Sequence, residues 1–423
     1  MELTVKKTDS IHGIVKAPPS KSYTHRSVII GSLADGESTL KYPLYSEDTA
    51  ASIDACKSFG AEIELFDDHC KIKGTSGHLK TPENVVDVKN SGTTLRIMTS
   101  VAALAPGITV ITGDDSLRNR PMQDLLDSLK KLQVSVFSTR NNGMPPIIIN
   151  NGFKGGETEI NGDVSSQFIS SLLIAAPYAD EPVDIHVKNN FISRPYVDMT
   201  KDVMNKFNVK VDFDSDNNRF HVDNQIYKSR DYTVEGDFSS ASYIVAAAAS
   251  LDSEVTIENL SLKSKQGDKL ILEIVQEMGA DVKSKNNKIV ITGNGELKGI
   301  NVDLKNAPDL LPTVAALGAV AQGKTEIFGV EHARYKETDR INTSATELSK
   351  LGVLVEEKKD GLIIKGGASG GIVDSHMDHR LVMALSIVGL KFGGVKIKNA
   401  SVHQVSFPKF PEVMKKLGCR MET

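Results

Sequence analysis

The sequence predicts an α/β protein of two domains, built from six repeated β/α units, three to a domain, with buried helices covered by sheets. Three observations predict it. A polar head followed by a helical stretch recurs six times, the helix after each head is apolar on nearly every side, and an alternating β-rich run follows each helix. With 423 residues, 40% hydrophobic and 25% charged, the chain has the composition of a globular protein, and at roughly 150 residues per domain it accommodates two or three domains.

The heads are PPSKSYTHR (18–26), NSGTTLR (90–96), DVSSQF (163–168), GDFSSAS (236–242), NAPDLLP (306–312) and MDHRLVM (377–383), spaced about 70 to 74 residues apart. Behind them run SVIIGSLA, RIMTSVAALA, FISSLLIAAP, YIVAAAAS, TVAALGAVA and VMALSIVGL. Helices apolar all round must be buried, so these form the cores. The runs GESTLKY, GITVITG, PVDIHV, EVTIENL, KTEIFGV and GVKIKNA alternate as half-buried strands do over a helical layer. Second helices such as MQDLLDSLKKLQV, DKLILEIVQEMGA and INTSATELSKLGV are amphipathic and end at or near Gly, a C-cap signal. Outer strands VKVDFD and RFHVD close the third unit near 225, and the polar IYKSRDY precedes the fourth head, which sets a boundary near 230. A first strand around residues 2–16 lies ahead of the first head and is expected to complete a sheet of the other domain. The expected domains are therefore 18–230, and 1–17 together with 231–423.

Fifty Lys+Arg against fifty-four Asp+Glu give a net charge of -4, which speaks against a nucleic-acid or anionic-membrane partner. No apolar run reaches the roughly 20 residues of a membrane span, and MELTVKKTDS lacks the apolar core of a signal peptide, so a cytoplasmic protein is expected. Three widely spaced cysteines, Cys56, Cys70 and Cys419, make neither a disulfide framework nor a zinc site.

Each head stands at a helix N-terminus, where free N–H groups and the dipole favour anions. Ser, Asp and Asn there are ordinary caps. Lys21, Ser22 and Arg26, then Arg96, then Ser165, Ser166 and Gln167, then Arg380 add the side chains an anion site needs. Further cationic segments lie between helices: GDDSLRNRP around Arg120, SRPY (193–196), and RYKETDR (334–340), which mixes Lys336, Glu337, Asp339 and Arg340 just ahead of a helix. A salt-bridged helix start would explain the last as well.

Two strings mislead. Gly318–Thr325 matches GxxxxGK[ST], but an apolar helix precedes it and a strand follows, the reverse of a P-loop. GNGELKG (293–299) is one residue too long for GxGxxG and reads as a hairpin loop. His376 and His379, beside Asp374 and Asp378, and DDHC (67–70) have no strong metal-ligand spacing; a capping and charge-orienting role is expected, with no metal.

Taken in order, PPSKSYTHR, NSGTTLR, DDSLRNRPM, SSQF, SRPY, EGDFSSAS, APDLLPT, KETDRI and DHRLVMA, spanning 18–384, closely resemble the EPSP synthase family of enolpyruvyl transferases. The resemblance implies the two-domain enolpyruvyl-transferase fold, with the active site in the interdomain cleft. It implies transfer of the enolpyruvyl group of phosphoenolpyruvate to the 5-hydroxyl of shikimate-3-phosphate, giving 5-enolpyruvylshikimate-3-phosphate and phosphate in chorismate and aromatic amino acid biosynthesis. Carried over by position, Lys21, Ser22, Arg26, Ser165, Ser166, Gln167, Ser193, Tyr196, Asp309 and Lys336 bind shikimate-3-phosphate. Lys21, Asn90, Gly92, Arg120, Gln167, Arg340 and Arg380 bind phosphoenolpyruvate. Asp309, Glu337 and Lys21 are the implied catalytic residues, with Asp309 as base toward the hydroxyl and Glu337 as proton donor, then acceptor, at the methylene. No metal or organic cofactor is implied, the only partners are the two small substrates, and a monomer is expected.

Two positions depart from the family pattern. His332 stands where the best-known members carry Asn, and Val405 where some carry a phosphoenolpyruvate-binding Lys. The alternatives are the sister transferase acting on UDP-N-acetylglucosamine and a non-catalytic phosphometabolite scaffold. The first typically has a Lys-Asn head and a loop cysteine, whereas this chain has Lys21-Ser22 and no Cys in 111–121. Asp309 and Glu337 in place speak against the second.

Overall fold

The computed structural model describes all 423 residues, Met1–Thr423. Six four-stranded sheets carry the repeat, and helices link their strands. The plainest example orders Val86–Asp87, Thr109–Thr112, Ile147–Asn150 and Ser135–Ser138 side by side, the first pair parallel and the others antiparallel. A parallel pair requires a crossover, and here it is the buried helix Gly92–Ala102. The same order recurs around helix Ser166–Ala175 and around helix Leu311–Val320.

The remaining three sheets borrow strands from far along the chain. Asp231–Thr233 lies parallel to Glu37–Lys41, Ser10–Lys16 parallel to Asp252–Glu258, and Leu3–Val5 antiparallel between Val395–Lys398 and Met421–Glu422. Residues 2–16, read from the sequence as one strand, are thus two strands of two sheets, separated by the polar run Lys6–Asp9. GNGELKG is likewise not a hairpin. It leaves strand Lys288–Asn294 and leads into Asn301–Asp303 of the next sheet, because each unit's last strand must hand the chain to a new sheet. At the P-loop-like string, Gly323 turns at φ +87° between helix Leu311–Val320 and strand Lys324–Phe328.

Two compact units result, Lys21–Val234 and Met1–Ser20 with Glu235–Thr423, each with its own hydrophobic core. The chain leaves the first of these only after Val234, because Asp231–Thr233 still belongs to that unit's sheet. In the other unit, helix Leu311–Val320 is buried along its whole length and Phe238–Ser250 at all residues but Ser239. These two pack on each other and on His379–Phe392, as an apolar-all-round sequence demands. In the Lys21–Val234 unit, helix Gly92–Ala102 lies on Ser166–Ala175. There Ser100 Oγ and Ser171 Oγ are 2.6 Å apart, and Ser171 Oγ donates to the Arg96 carbonyl at 2.5 Å, so buried hydroxyls find partners where water does not reach.

Glycine admits the closest helix–strand approach. A Cβ on Gly389 would stand 2.7 Å from Val5 Cβ and 3.0 Å from Val395 Cβ, so helix His379–Phe392 rides directly on strand Leu3–Val5. Gly389→Ala is expected to push that N-terminal strand outward and cost about 1–3 kcal/mol. Urea unfolding would show a lower midpoint; an unchanged midpoint would mean the strand is not held as described.

Candidate active site

Four of the heads cap their helices. Ser91 accepts from Thr94 N–H, Ser165 from Gln167 N–H, Asp237 from Ser240 N–H and Asp378 from Arg380 N–H, whereas the fifth head enters helix Leu311–Val320 without a side-chain cap. Around these caps the cationic side chains collect in two clusters, one in each unit.

In the Lys21–Val234 unit, Lys21 opens helix Lys21–Leu33 with its Nζ 2.7 Å from Asp48 Oδ2 on helix Glu47–Ser58. One turn further, Arg26 is 1% exposed, donating from Nε to Thr200 Oγ1 (2.7 Å) and from its terminal nitrogens to the carbonyls of Ser22 (2.9 Å) and Tyr196 (3.1 Å). Ser22 and Tyr196 thus take part through their backbones. Three of the five guanidinium N–H groups are committed to the protein, and two remain. Burial lowers the Arg26 pKa to about 10, which still leaves it charged at neutral pH.

Nearby in the fold, Arg96 donates to Gln167 Oε1 at 2.5 Å, and Gln167 Nε2 donates to Thr93 Oγ1 at 3.0 Å. A Cβ on Gly92 would lie 2.7 Å from one terminal nitrogen of Arg120 and 3.3 Å from one of Arg96. Gly92, Arg96, Arg120 and Gln167 therefore converge at the start of helix Gly92–Ala102, and only glycine leaves room for both guanidiniums. Arg120, in the segment between Leu117–Asn119 and helix Gln123–Lys131, is 6% exposed, whereas Arg118 is spent on the Gly113 carbonyl and Asp115. Asn90 Nδ2 donates to Asp114 Oδ2 at 3.2 Å. Ser193 stands before helix Arg194–Lys206 in left-handed backbone, φ +52°, and Ser166 is buried in the first turn of its helix. Lys21, Arg26, Arg96 and Arg120 share this region with a single buried carboxylate, Asp48.

The second cluster centres on Arg340, also 1% exposed. It donates from Nε to Asp378 Oδ2 at 2.7 Å, from one terminal nitrogen to Asp309 Oδ1 at 2.8 Å, and from the other to Glu337. Asp309 also accepts from Arg380 at 2.9 Å, and Lys336 Nζ is 3.6 Å away. Arg380 reaches the Tyr243 hydroxyl at 3.4 Å. Burial opposes the Arg340 charge, but Asp378, Glu337 and Asp309 outweigh it and raise its pKa further. Asp268, fully buried and accepting from the Ser239 hydroxyl, is raised by burial and then by the Asp309 charge. Arg334, from the same cationic segment, belongs elsewhere, bonding Asp339 (2.7 Å) and Glu357 (2.8 Å).

Of the carboxylates that hold these cations, Asp309 and Glu337 are legible in the sequence and Asp378 is expected to cap and orient charge, whereas Asp48 has no motif around it and is missed. The histidine pair expected to cap and orient has His376 Nε2 2.6 Å from Glu347, with His379 opening the helix that Asp378 caps. Val405 is buried and apolar, with no ammonium to offer.

Residues 5–414 match the family model described as EPSP synthase (3-phosphoshikimate 1-carboxyvinyltransferase). The chain belongs to this family. A relative from Methanothermobacter thermautotrophicus, named 3-phosphoshikimate 1-carboxyvinyltransferase, is 56% identical over 421 residues, 100% of this chain and 99% of its own. One of the same name from Methanosphaera stadtmanae is 53% identical over 420 residues, 98% of this chain and 99% of its own. A solved EPSP synthase from Acinetobacter baumannii superposes with a TM-score of 0.85 at 27% identity, covering 100% of this chain and 99% of that one. The enolpyruvyl transferase NikO from Streptomyces tendae shares the fold at a TM-score of 0.79 and 14% identity, covering 100% and 98%. The two-domain enolpyruvyl-transferase fold is thus this chain's fold, and it is a transferase of the shikimate pathway.

His332, the residue in place of the usual Asn, is 9% exposed in the turn Glu331–Tyr335. Burial, then the Lys336 charge, lower its pKa from 6.5 to about 3. It therefore binds fewer protons folded than unfolded between those values, and subtracts stability as pH falls below 6.5. His332→Asn should lose less stability than wild type between pH 7 and pH 4.5 in urea unfolding. Equal losses would show that His332 protonates freely in the fold.

Proposed function

We propose that the reaction is carried by the two clusters together, with Asp309 and Glu337 dividing its proton transfers. The chain transfers the enolpyruvyl group of phosphoenolpyruvate to the 5-hydroxyl of shikimate-3-phosphate, releasing phosphate. The observation that supports the division is that one buried guanidinium, Arg340, holds both carboxylates, while Arg380 and Lys336 also flank Asp309. When phosphoenolpyruvate brings its phosphate and carboxylate, Arg340 and Arg380 turn to those anions, and Asp309 is left able to accept a proton.

In the addition step, Asp309 takes the 5-hydroxyl proton as the oxygen bonds C2, and Glu337, protonated from solvent once Arg340 has turned to the ligand anions, delivers that proton to C3. In the elimination, Glu337 takes a proton back from C3, the C2–phosphate bond breaks, and phosphate leaves with the proton held by Asp309. Lys336 orients the hydroxyl and Asp309. Lys21, Ser22, Arg26, Ser165, Ser166, Gln167, Ser193 and Tyr196 bind shikimate-3-phosphate, Arg26 through the N–H groups its internal bonds leave over. Asn90, Gly92 and Arg120, with Lys21, Gln167, Arg340 and Arg380, bind phosphoenolpyruvate. The excess of cations around Lys21 supports this assignment, since two phosphates and two carboxylates must be neutralised.

The same reading has the enzyme act as a cytoplasmic monomer without metal or cofactor. No helix is long and apolar enough to cross a membrane.

The direct test is phosphate release from phosphoenolpyruvate with shikimate-3-phosphate or UDP-N-acetylglucosamine as acceptor. Release is expected with the first alone. Glu337→Gln should lower turnover by about 100-fold or more while shikimate-3-phosphate still binds. Full activity in that variant would remove Glu337 from the mechanism.

A further inference from the structure

Behind Lys21 lies a chain of buried polar groups to which the reaction above gives no work. Asp48 presents Oδ2 to Lys21 Nζ at 2.7 Å, and its other oxygen, Oδ1, faces His25 Nε2 at 3.5 Å. Neither Oδ1 nor Nε2 has a hydrogen-bond partner, although His25 is fully buried and Asp48 is 9% exposed. On the far side of the ring, Nδ1 meets Ser52 Oγ at 2.8 Å, Ser52 meets Thr94 Oγ1 at 2.7 Å, and Thr94 meets Ser91 Oγ at 2.7 Å. The hydroxyls hold the imidazole in one orientation, with its open nitrogen aimed at the carboxylate. A gap of 3.5 Å is too long for a charge-assisted bond but within reach of one if the ring becomes cationic.

We propose that Asp48 and His25 form a proton-linked dock for Lys21: the ammonium rests on Asp48, and when an anionic ligand draws it away, His25 takes up a proton from solvent and closes onto Asp48 in its place. Both are positioning residues, acting on ligands through Lys21. The proposal rests on Lys21 being an anion contact, as in the preceding reading. A buried carboxylate stripped of its only cation is costly, about 3–5 kcal/mol for a broken buried pair, so a replacement cation makes the departure of Lys21 feasible. Protonation adds one charge and breaks no bond.

The surroundings favour that exchange. From its own helix the ring faces Lys21 and Arg26, and from helix Glu47–Ser58 it faces Asp48 and Ser52. The strands under the helix, Glu37–Lys41 and His69–Lys73, turn Ser38, Leu40, Cys70 and Ile72 inward, and burial raises the Cys70 thiol to about 11. Helix Arg194–Lys206 presents Asp202 to Tyr23 and Lys206, and the Tyr196 carbonyl to Arg26. Burial lowers the His25 pKa, and Lys21 and Arg26 add to this while Asp48 opposes it. The ring is therefore neutral while Lys21 is in place. Removing the Lys21 charge takes away one opposing cation, so that Asp48 acts on the ring against burial and Arg26 only.

The test is carbon-13 NMR titration of histidine Cε1, with the His25 signal among the ten histidines assigned by its loss in His25→Gln. In wild type His25 should titrate below the ordinary histidine value of 6.5. In Lys21→Met its pKa should rise by about one unit or more, and in the Lys21→Met/Asp48→Asn double variant that rise should disappear. Saturating wild type with shikimate-3-phosphate should reproduce the Lys21→Met titration. An unshifted His25 in Lys21→Met, or a rise that survives Asp48→Asn, overturns the dock. Shikimate-3-phosphate affinity of Lys21→Met separates the two layers. If it falls 100-fold or more while His25 stays unshifted in ligand-saturated wild type, the dock fails and the anion contact stands; if affinity is unchanged, the reading of Lys21 itself fails.

Discussion

The C-terminal cluster is organised by one requirement: a guanidinium almost wholly removed from water must find acceptors for its N–H groups inside the protein. An isolated, unbonded charge in an apolar interior is costly, and Arg340 at 1% exposure meets the requirement with three carboxylates, Asp378, Asp309 and Glu337. Asp378 is fully buried and caps helix His379–Phe392 as well, so it is anchored twice. That anchoring fixes the guanidinium plane, and the plane fixes where Asp309 and Glu337 can stand. Two carboxylates from different segments, one before helix Leu311–Val320 and one before helix Arg340–Lys350, are thereby brought to one point.

The Lys21–Val234 unit meets a different requirement with the same parts. Arg26 is as buried as Arg340 but is held by carbonyls and a threonine hydroxyl, with no carboxylate among its partners. Arg96 is held by the Gln167 amide, and Arg120 closes on Gly92 beside it. For Arg26, neutral acceptors orient the cation without cancelling its charge, and backbone N–H groups at the helix starts add to the positive potential there. The other unit keeps its cations paired, and pairs exchange partners when a better anion arrives.

Much of this was legible in the sequence because the repeat is local. Head, apolar helix and alternating strand follow one another within each unit, and burial of an apolar helix needs no knowledge of its neighbours. The borrowed strands were not legible in the same way. Leu3–Val5 and Asp231–Thr233 are three residues each, too short for periodicity, and their partners lie far off in the chain. The fusion of 2–16 into one strand and the hairpin read into 293–299 both came from judging strands without partners. In the site, the cations announced themselves by clustering at helix starts. One partner did not: Asp48 sits in the first turn of an ordinary amphipathic helix, where an acidic residue also suits the helix dipole.

The pairing of cations with carboxylates has a consequence for which ligands can enter. A neutral analogue offers nothing in exchange for Asp309 on Arg340 and Arg380, and would leave those ion pairs intact. A monoanion could satisfy one guanidinium but would strand a carboxylate on the other. A phosphate dianion presents several strong acceptor oxygens, so it can take both guanidiniums at once through charge-assisted, bidentate bonds, which are about twice as strong as neutral ones. The carboxylates it displaces do not become idle buried charges if the chemistry then hands them protons. On the proposed reading, binding and proton transfer are one electrostatic event: the ligand's negative charge would release Asp309 from its cations, and a released carboxylate is a stronger base than a paired one. The base would then be withheld until the phosphate that leaves is already bound.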